Sequence, residues 1–444
     1  MKKKNLLMTV GILLVFIFLT VDSFAQSVTV SGQLRPRFEY RHGYKTLSLK
    51  DADAATFTSQ RTRFNLKYAD SKFKAGFSVQ NIMVWGDVLQ LNQSDVNGAS
   101  IHEAWGEMIF SEKFSVKVGR QEIVYDDQRI FGSVGWAQQG RSHDAAILKI
   151  APREKCDINV GFAFNQDKAS LFGNDYTLNN YKSFQYLWWH RSFDKVSLSL
   201  LALNNGIAYS DNTDTNDVKQ KIAYSQTIGP RITFKDGKFS ANAAIYLQMG
   251  KLKPGSGTLN AGEKLTKLSA MYLSTNINYQ ANDNFSVGLG FEYLSGNSQV
   301  DAGDKNKAFT PLYGTNHKFN GWMDYFYVGN HGNSVGLIDI YVPIKYKKGK
   351  FSAMLIPHSF RTAADLHDWK STDTKATMSN NLGLELDFTV GYAFAKNMVV
   401  KAGYSQMFAT ESMDALKNVA SGNKQTNNWG WVMLVFNPTF FQSK

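Results

Sequence analysis

The chain has 444 residues, with 49 Lys and Arg against 37 Asp and Glu, a formal net charge of +12, one cysteine, 35 glycines and 8 prolines. A lone cysteine rules out intrachain disulfides, and the lack of a second long apolar run beyond residue 25 excludes a helical membrane protein. The same facts leave room for a transmembrane β-barrel, whose strands offer lipid only every second side chain and so keep average hydropathy low. The positive excess suits an anionic partner.

The first elements form an address. Lys2, Lys3 and Lys4 precede an apolar run from Leu6 to Leu19, and Ser23-Phe24-Ala25 supplies small residues at a cleavage position. This pattern predicts a signal peptide over residues 1–25, removed before Gln26, followed by one domain over 26–444. No cysteine follows the cleavage point, so a lipoprotein is not expected.

From Val28 onward the sequence alternates with period two. Val28, Val30, Leu34, Phe38 and Tyr40 take one parity; Arg35, Arg37, Glu39 and Arg41 take the other. In Phe57 to Tyr68, Phe64, Leu66 and Tyr68 oppose Arg61, Arg63 and Lys67. Similar alternation marks Phe239 to Met249, Phe285 to Tyr293, Leu382 to Tyr392 and Met398 to Phe408, where Glu385 and Asp387 oppose a leucine-rich face.

Connections alternate in length. Eight short turns fall at 70–72, 111–113, 152–157, 193–195, 236–238, 281–283, 347–350 and 395–397. Nine long polar loops fall at 43–56, 86–100, 124–140, 167–181, 205–219, 251–265, 297–333, 362–380 and 410–426. Eight turns and nine loops join eighteen strands, with sixteen the alternative. An even count puts both strand termini on the short-turn side, as outer-membrane barrels of Gram-negative bacteria require. A soluble β-sandwich gives no reason for such strict alternation. The predicted fold is therefore all-β: a transmembrane antiparallel barrel in contact with outer-membrane lipid, with short periplasmic turns and long extracellular loops.

A charge at mid-bilayer costs about 2 to 4 kcal/mol, so the ionic faces must point inward. Eight of the twelve arginines, at 35, 37, 41, 61, 63, 120, 129 and 141, precede residue 142. Arg120 shares the parity of Val116 and Val118, which calls for a bulge or an exit from the membrane there. The segment Tyr125 to Gly140 is too polar and glycine-rich for a membrane strand. It reads as a loop able to fold inward, with Asp126, Asp127, Arg129, Trp136, Gln138 and Gln139, before a return strand carrying Arg141 and Lys149.

The runs "VGRQEIVYDDQRIFGSVGWAQQGRSHDAAILK", "NGWMDYFYVGN", "AGYSQMFATESMDALK" and "NNWGWVMLVFNPTFF" together resemble the alginate export family of outer-membrane barrels, over essentially the whole segment after residue 25. The resemblance implies an eighteen-stranded barrel with an arginine-rich constriction that guides a polyanionic polysaccharide outward. Through the motif, Arg120, Arg129 and Arg141 inherit the role of constriction or wall arginines. The chain departs from the pattern in ending Phe440-Phe441-Gln442-Ser443-Lys444, without a terminal aromatic.

Arginines on an inner wall have a plainer explanation as half of bracing ion pairs, for which Glu39, Glu103, Glu107, Asp126, Asp127, Asp339, Glu385 and Asp387 are available. The aromatics Tyr40, Tyr68, Trp85, Trp105, Trp188, Trp189, Trp429 and Trp431 are expected in interface girdles. "DNTDTND" at Asp211 to Asp217 looks calcium-like, but its spacing matches no standard site, so a solvated loop is expected and no metal or cofactor is assigned. An outer-membrane hydrolase would need a nucleophile and base brought together. No histidine lies in such a motif, and His102, His143 and His358 read as wall residues. No plug segment precedes the first strand, which disfavours an energy-coupled receptor. The expectation is a passive channel for anionic solutes, with export of a polysaccharide such as alginate implied by the resemblance, against a structural or adhesive barrel as rival. It is not expected to be an enzyme or to bind nucleic acid, and periplasmic partners are left unassigned.

Overall fold

A computed structural model describes residues 26–91, 98–177, 180–214, 218–301, 303–331, 334–419 and 425–443. The predicted signal peptide lies outside the described residues, as does part of the Asp211–Asp217 motif.

Eighteen antiparallel strands close into one barrel. They are β1 (Ser27–His42), β2 (Ala55–Ala69), β3 (Phe73–Val84), β4 (Ser100–Ser111), β5 (Phe114–Gln121), β6 (His143–Arg153), β7 (Cys156–Phe164), β8 (Tyr181–Ser192) and β9 (Val196–Asn212). The second half comprises β10 (Lys219–Asp236), β11 (Phe239–Lys251), β12 (Lys267–Gln280), β13 (Phe285–Leu294), β14 (Leu337–Tyr341 and Ile344–Lys348), β15 (Phe351–Arg361), β16 (Asn381–Ala395), β17 (Met398–Ala409) and β18 (Asn427–Phe436 and Thr439–Gln442). Closure is made by β1, which pairs with β2 on one side and β18 on the other. No edge is left to aggregate or to expose backbone groups to lipid.

Two strands are interrupted by proline, at Pro343 and Pro438. Proline cannot donate to a ladder but can still accept. Accordingly, Gly288 N–H bonds to the Pro343 carbonyl and Gly32 N–H to the Pro438 carbonyl, both at 2.9 Å, so the wall continues through each break.

The alternation translates directly into faces. Leu34, Phe38 and Tyr40 of β1 point outward and exposed, whereas Arg35, Arg37 and Glu39 are buried inside. Phe64, Leu66, Ile228, Leu247, Leu384, Phe388 and Val432 extend the apolar outer band that lipid requires.

Two expectations need correction. The hairpin read as a loop over 205–219 stays in strand form to Asn212 and resumes at Lys219. Asn204-Asn205-Gly206 looks like a turn signal, but Asn204 is bridged on the wall by Gln185 and Gln226 at 2.8 and 2.7 Å. Second, Trp105, Trp188, Trp429 and Trp431 do not form girdles. Trp429 and Trp431 pair across the seam with Arg41 and Glu39 and so share the luminal face. Trp105 bonds Glu103, and Trp188 bonds Asp126. Gly403 makes this possible for Trp431: a Cβ there would sit 2.4 Å from the indole lying across it.

Candidate functional site

Two long loops turn into the barrel, loop 3 (122–142, between β5 and β6) and loop 7 (295–336, between β13 and β14). Loop 3 is driven inward by its apolar residues. Ile123, Ile130, Phe131 and Val134 are buried, and Phe131 packs against Phe184, Tyr186 and Tyr313 with ring centroids 5.7, 4.9 and 5.5 Å apart. Such rings gain burial only against the wall. The two loops are tied by a parallel bridge between Phe131 and Tyr313 and by Thr315, whose hydroxyl accepts from Val134 N–H at 3.0 Å.

Charged anchors fix the loop at one end. Arg129 is fully buried, donates to Glu292 of β13 at 2.8 Å and to Asn320 of loop 7 at 2.9 Å, and lies over the rings of Tyr272 and Phe319. Asp127 accepts from Arg231 of β10 at 3.1 Å. Asp126 accepts from the Trp188 indole, and burial raises its carboxyl above the usual range.

At the other end the wall arginines grip loop carbonyls. Arg35 donates to the Gly135 carbonyl at 2.6 Å and to those of Trp136 and Ala137 at 3.0 Å. Arg37 reaches the Trp136 carbonyl at 2.8 Å and Glu39 at 2.9 Å. Arg61 donates to the Gln138 carbonyl at 3.1 Å and to the Gln33 side chain at 2.7 Å. Arg63 donates to Gln80 at 2.7 Å and comes within 4.0 Å of Glu122. Among the described residues, Arg35 and Arg61 make no ion pair. Carbonyl and amide oxygens satisfy their donors without cancelling their charge.

The remaining sequence candidates divide. Arg41 shares Glu39 with Arg37, and Lys149 is paired with Glu107 at 3.0 Å. Lys67 keeps the luminal parity but is exposed toward the short-turn end. Arg141 lies in loop 3, where its guanidinium donates to the Gly314 carbonyl and burial lowers its pKa. Arg120 departs from the role carried over from the family motif. It points outward, 46% exposed, and pairs with the equally outward Asp144 at 2.6 Å, because β5 keeps its parity through Gly119 despite the positive φ of 121° there.

Among the acids, Glu103 bonds Trp105 and the Glu122 amide and, among the described residues, makes no arginine pair. Asp339, Glu385 and Asp387 also brace no arginine; they seat loop 7. Asp387 accepts from Trp322 N–H at 3.0 Å and Glu385 from Met323 N–H at 2.9 Å, while Asp339 holds His358 at 2.9 Å and Asn320 at 3.3 Å. Asn320 and Gly321, both at positive φ, aim those amides at the wall. A Cβ at Gly321 would lie 2.6 Å from the Glu385 carboxylate. Glu292 and Asn320 were absent from the sequence candidates. Glu292 was detectable as the lone acid opposing the greasy parity of β13; Asn320 carried no such signal.

Below loop 3, toward the short turns, a cavity of about 790 Å³ opens between the loop and the wall from β14 to β18. Beside it lies one of about 370 Å³ lined by Asn242, Ser274, Asn276 and Asn278. No group of three or more metal-ligating side chains occurs among the described residues.

Comparison with known proteins agrees with this architecture. No curated protein matches the sequence. Solved structures with the same fold include OccK2 (OpdF) of Pseudomonas aeruginosa in complex with glucuronate, with 13% identity, 93% of this chain and 98% of that chain covered, and a TM-score of 0.58. OpdK of the same organism with vanillate has 9% identity, 94% and 100% coverage, and a TM-score of 0.59. A BenF-like porin from Pseudomonas fluorescens Pf-5 has 12% identity, 93% and 99% coverage, and a TM-score of 0.58. The sequence profile of the alginate export family matches residues 26–426, and this outer-membrane channel belongs to that family.

Proposed function

We propose that the channel conducts anionic solutes past an arginine-lined constriction, and that an acidic polysaccharide such as alginate is the exported cargo. The observation that carries this reading is the state of Arg35 and Arg61. Both are buried beside loop 3 and hold it through neutral acceptors, so their charge acts on the passage in a low-dielectric setting where it is weakly screened. Membership of the alginate export family supports the polysaccharide, and the glucuronate complex of OccK2 is a like-folded barrel holding a sugar acid.

The test is the reversal potential of single channels in a KCl gradient. Anion preference is expected, strongest at low salt where the Debye length is long. Replacing Arg61 and Arg63 together by Gln should move the potential toward cations. A cation-selective native channel, or an unchanged potential in the double variant, would overturn the reading.

A further inference from the structure

We infer that the larger cavity below loop 3 is a binding site for organic anions that carry an apolar ring system, loaded from the short-turn side. This rests on the anion-channel reading and adds to it a second class of anion, distinct from the polysaccharide cargo.

The cations are Arg35, Lys318, Lys345, Lys347 and Lys401, and no carboxylate lines the cavity. Lys345 and Lys347 stand on the luminal face of β14, opposite Met354 and Ser352 of β15. Lys401 of β17 stands opposite Met433 of β18. Among the described residues none of these three lysines makes an ion pair. They lie close to the β14–β15 and β16–β17 turns, and so ring the entrance from that side.

The floor is different in kind. Trp136, Trp322 and Trp431, with Met354 and Met433, present a broad apolar surface. The rings are fixed. Trp136 stacks on His317 at 4.6 Å and packs edge-on against Trp431 at 4.9 Å, Arg37 covers Trp136 at 4.2 Å, and Trp431 lies flat over Gly403. Trp322 is held through its own backbone by Asp387.

A rigid aromatic shelf with a cationic rim discriminates in two ways. Any anion gains from the rim, but only one with an apolar body also removes the indole and thioether surface from water. A purely polar sugar acid gains the first term alone. A neutral ring gains only the second and finds three competing ammonium groups whose hydration it disturbs.

The experiment uses the full-length channel in planar bilayers, with 2-naphthoate, glucuronate and neutral 2-naphthalenemethanol added to the short-turn side as current blockers. Expected is half-block by naphthoate at a concentration about tenfold below that of either control, and weaker block from the opposite side. Lys345→Gln with Lys401→Gln should weaken naphthoate block about tenfold. Trp322→Leu should bring naphthoate to the level of glucuronate while its backbone bond to Asp387 persists. Equal block by naphthoate and either control, or naphthoate block unaffected by the lysine pair, would overturn the inference. Reversal potential in the same bilayers separates the two failures: an anion-selective channel without naphthoate preference sinks this site alone, whereas cation selectivity sinks the underlying function.

Discussion

Arg129 is the residue on which loop 3 turns. Its guanidinium is buried with Glu292 on β13 and Asn320 on loop 7, so removing it leaves a buried carboxylate in the lumen wall without its ion-pair partner. Breaking a buried pair from one side costs about 3 to 5 kcal/mol, whereas replacing both partners with apolar or neutral groups is far milder. Arg129→Ala should therefore loosen loop 3 strongly, and Arg129→Met with Glu292→Gln should restore much of the loss. Cleavage rates by chymotrypsin near Tyr125 and Phe131 in refolded protein report this; equal rates in both variants would refute the anchoring role. His331, at the far end of loop 7, is packed against Phe326 at 5.1 Å, and burial first, then Lys417, lowers its pKa to about 3. Its ordinary value is 6.5, so the folded loop binds fewer protons than the undocked loop throughout the interval between the two. The stability this confers is whole above about 6.5 and is lost as pH falls toward 3. Amide exchange of residues 325–331 should accelerate over that window in the native protein and much less in His331→Asn; equal acceleration in both would exclude His331 as the cause.

At the scale of elements, loop 3 behaves as its sequence suggested. Phe131, Val134 and Trp136 are interspersed with polar residues in a segment too irregular for a strand, and such rings find burial only inside. Replacing residues 132–139 with a short Gly/Ser link removes the carbonyls that Arg35, Arg37 and Arg61 grip. Conductance and the size limit for uncharged oligosaccharides should both rise, and unchanged values would mean that the loop does not set the pore. Which face of each strand meets lipid was legible wherever charge marked one parity, as in β1 and β2. It was not legible in β18, where Asn427, Trp429, Trp431, Met433 and Val435 alternate with Asn428, Gly430, Val432, Leu434 and Phe436 and neither set carries a charge. Only pairing with Glu39 and Arg41 across the seam assigns the tryptophans to the lumen. Arg120 teaches the converse. Its parity with Val116 and Val118 already pointed outward, and the motif-based role conflicted with that local pattern. The partners of Asp339, Glu385 and Asp387 lay beyond sequence reasoning, because backbone amides of loop 7 take the place of arginines at Glu385 and Asp387, and His358 with the Asn320 side chain takes it at Asp339.

For the whole molecule, the alternation of short and long connections fixes an orientation. The seam of β1 with β18 closes the sheet, and eighteen strands bring Ser27 and Gln442 to the end that carries the eight short turns. Long polar loops cannot stay in hydrocarbon, and in barrels of this kind they face outward from the cell while tight turns face the periplasm. Cys156 makes this testable without altering the native chain further, since it is the one cysteine in the sequence and is buried beside the β6–β7 turn. A membrane-impermeant maleimide should thus give little background. A cysteine placed by Ser371→Cys, in the long loop between β15 and β16, should label on intact cells. One placed by Lys238→Cys, at the short turn between β10 and β11, should label only after the outer membrane is permeabilised. Lys238 is exposed and Ser371 partly exposed in the described structure, so a thiol at either can be reached and labelling turns on the side of the membrane. Labelling of the 238 variant on intact cells, with the 371 variant silent, would invert the barrel and with it the side from which the cavity below loop 3 is filled.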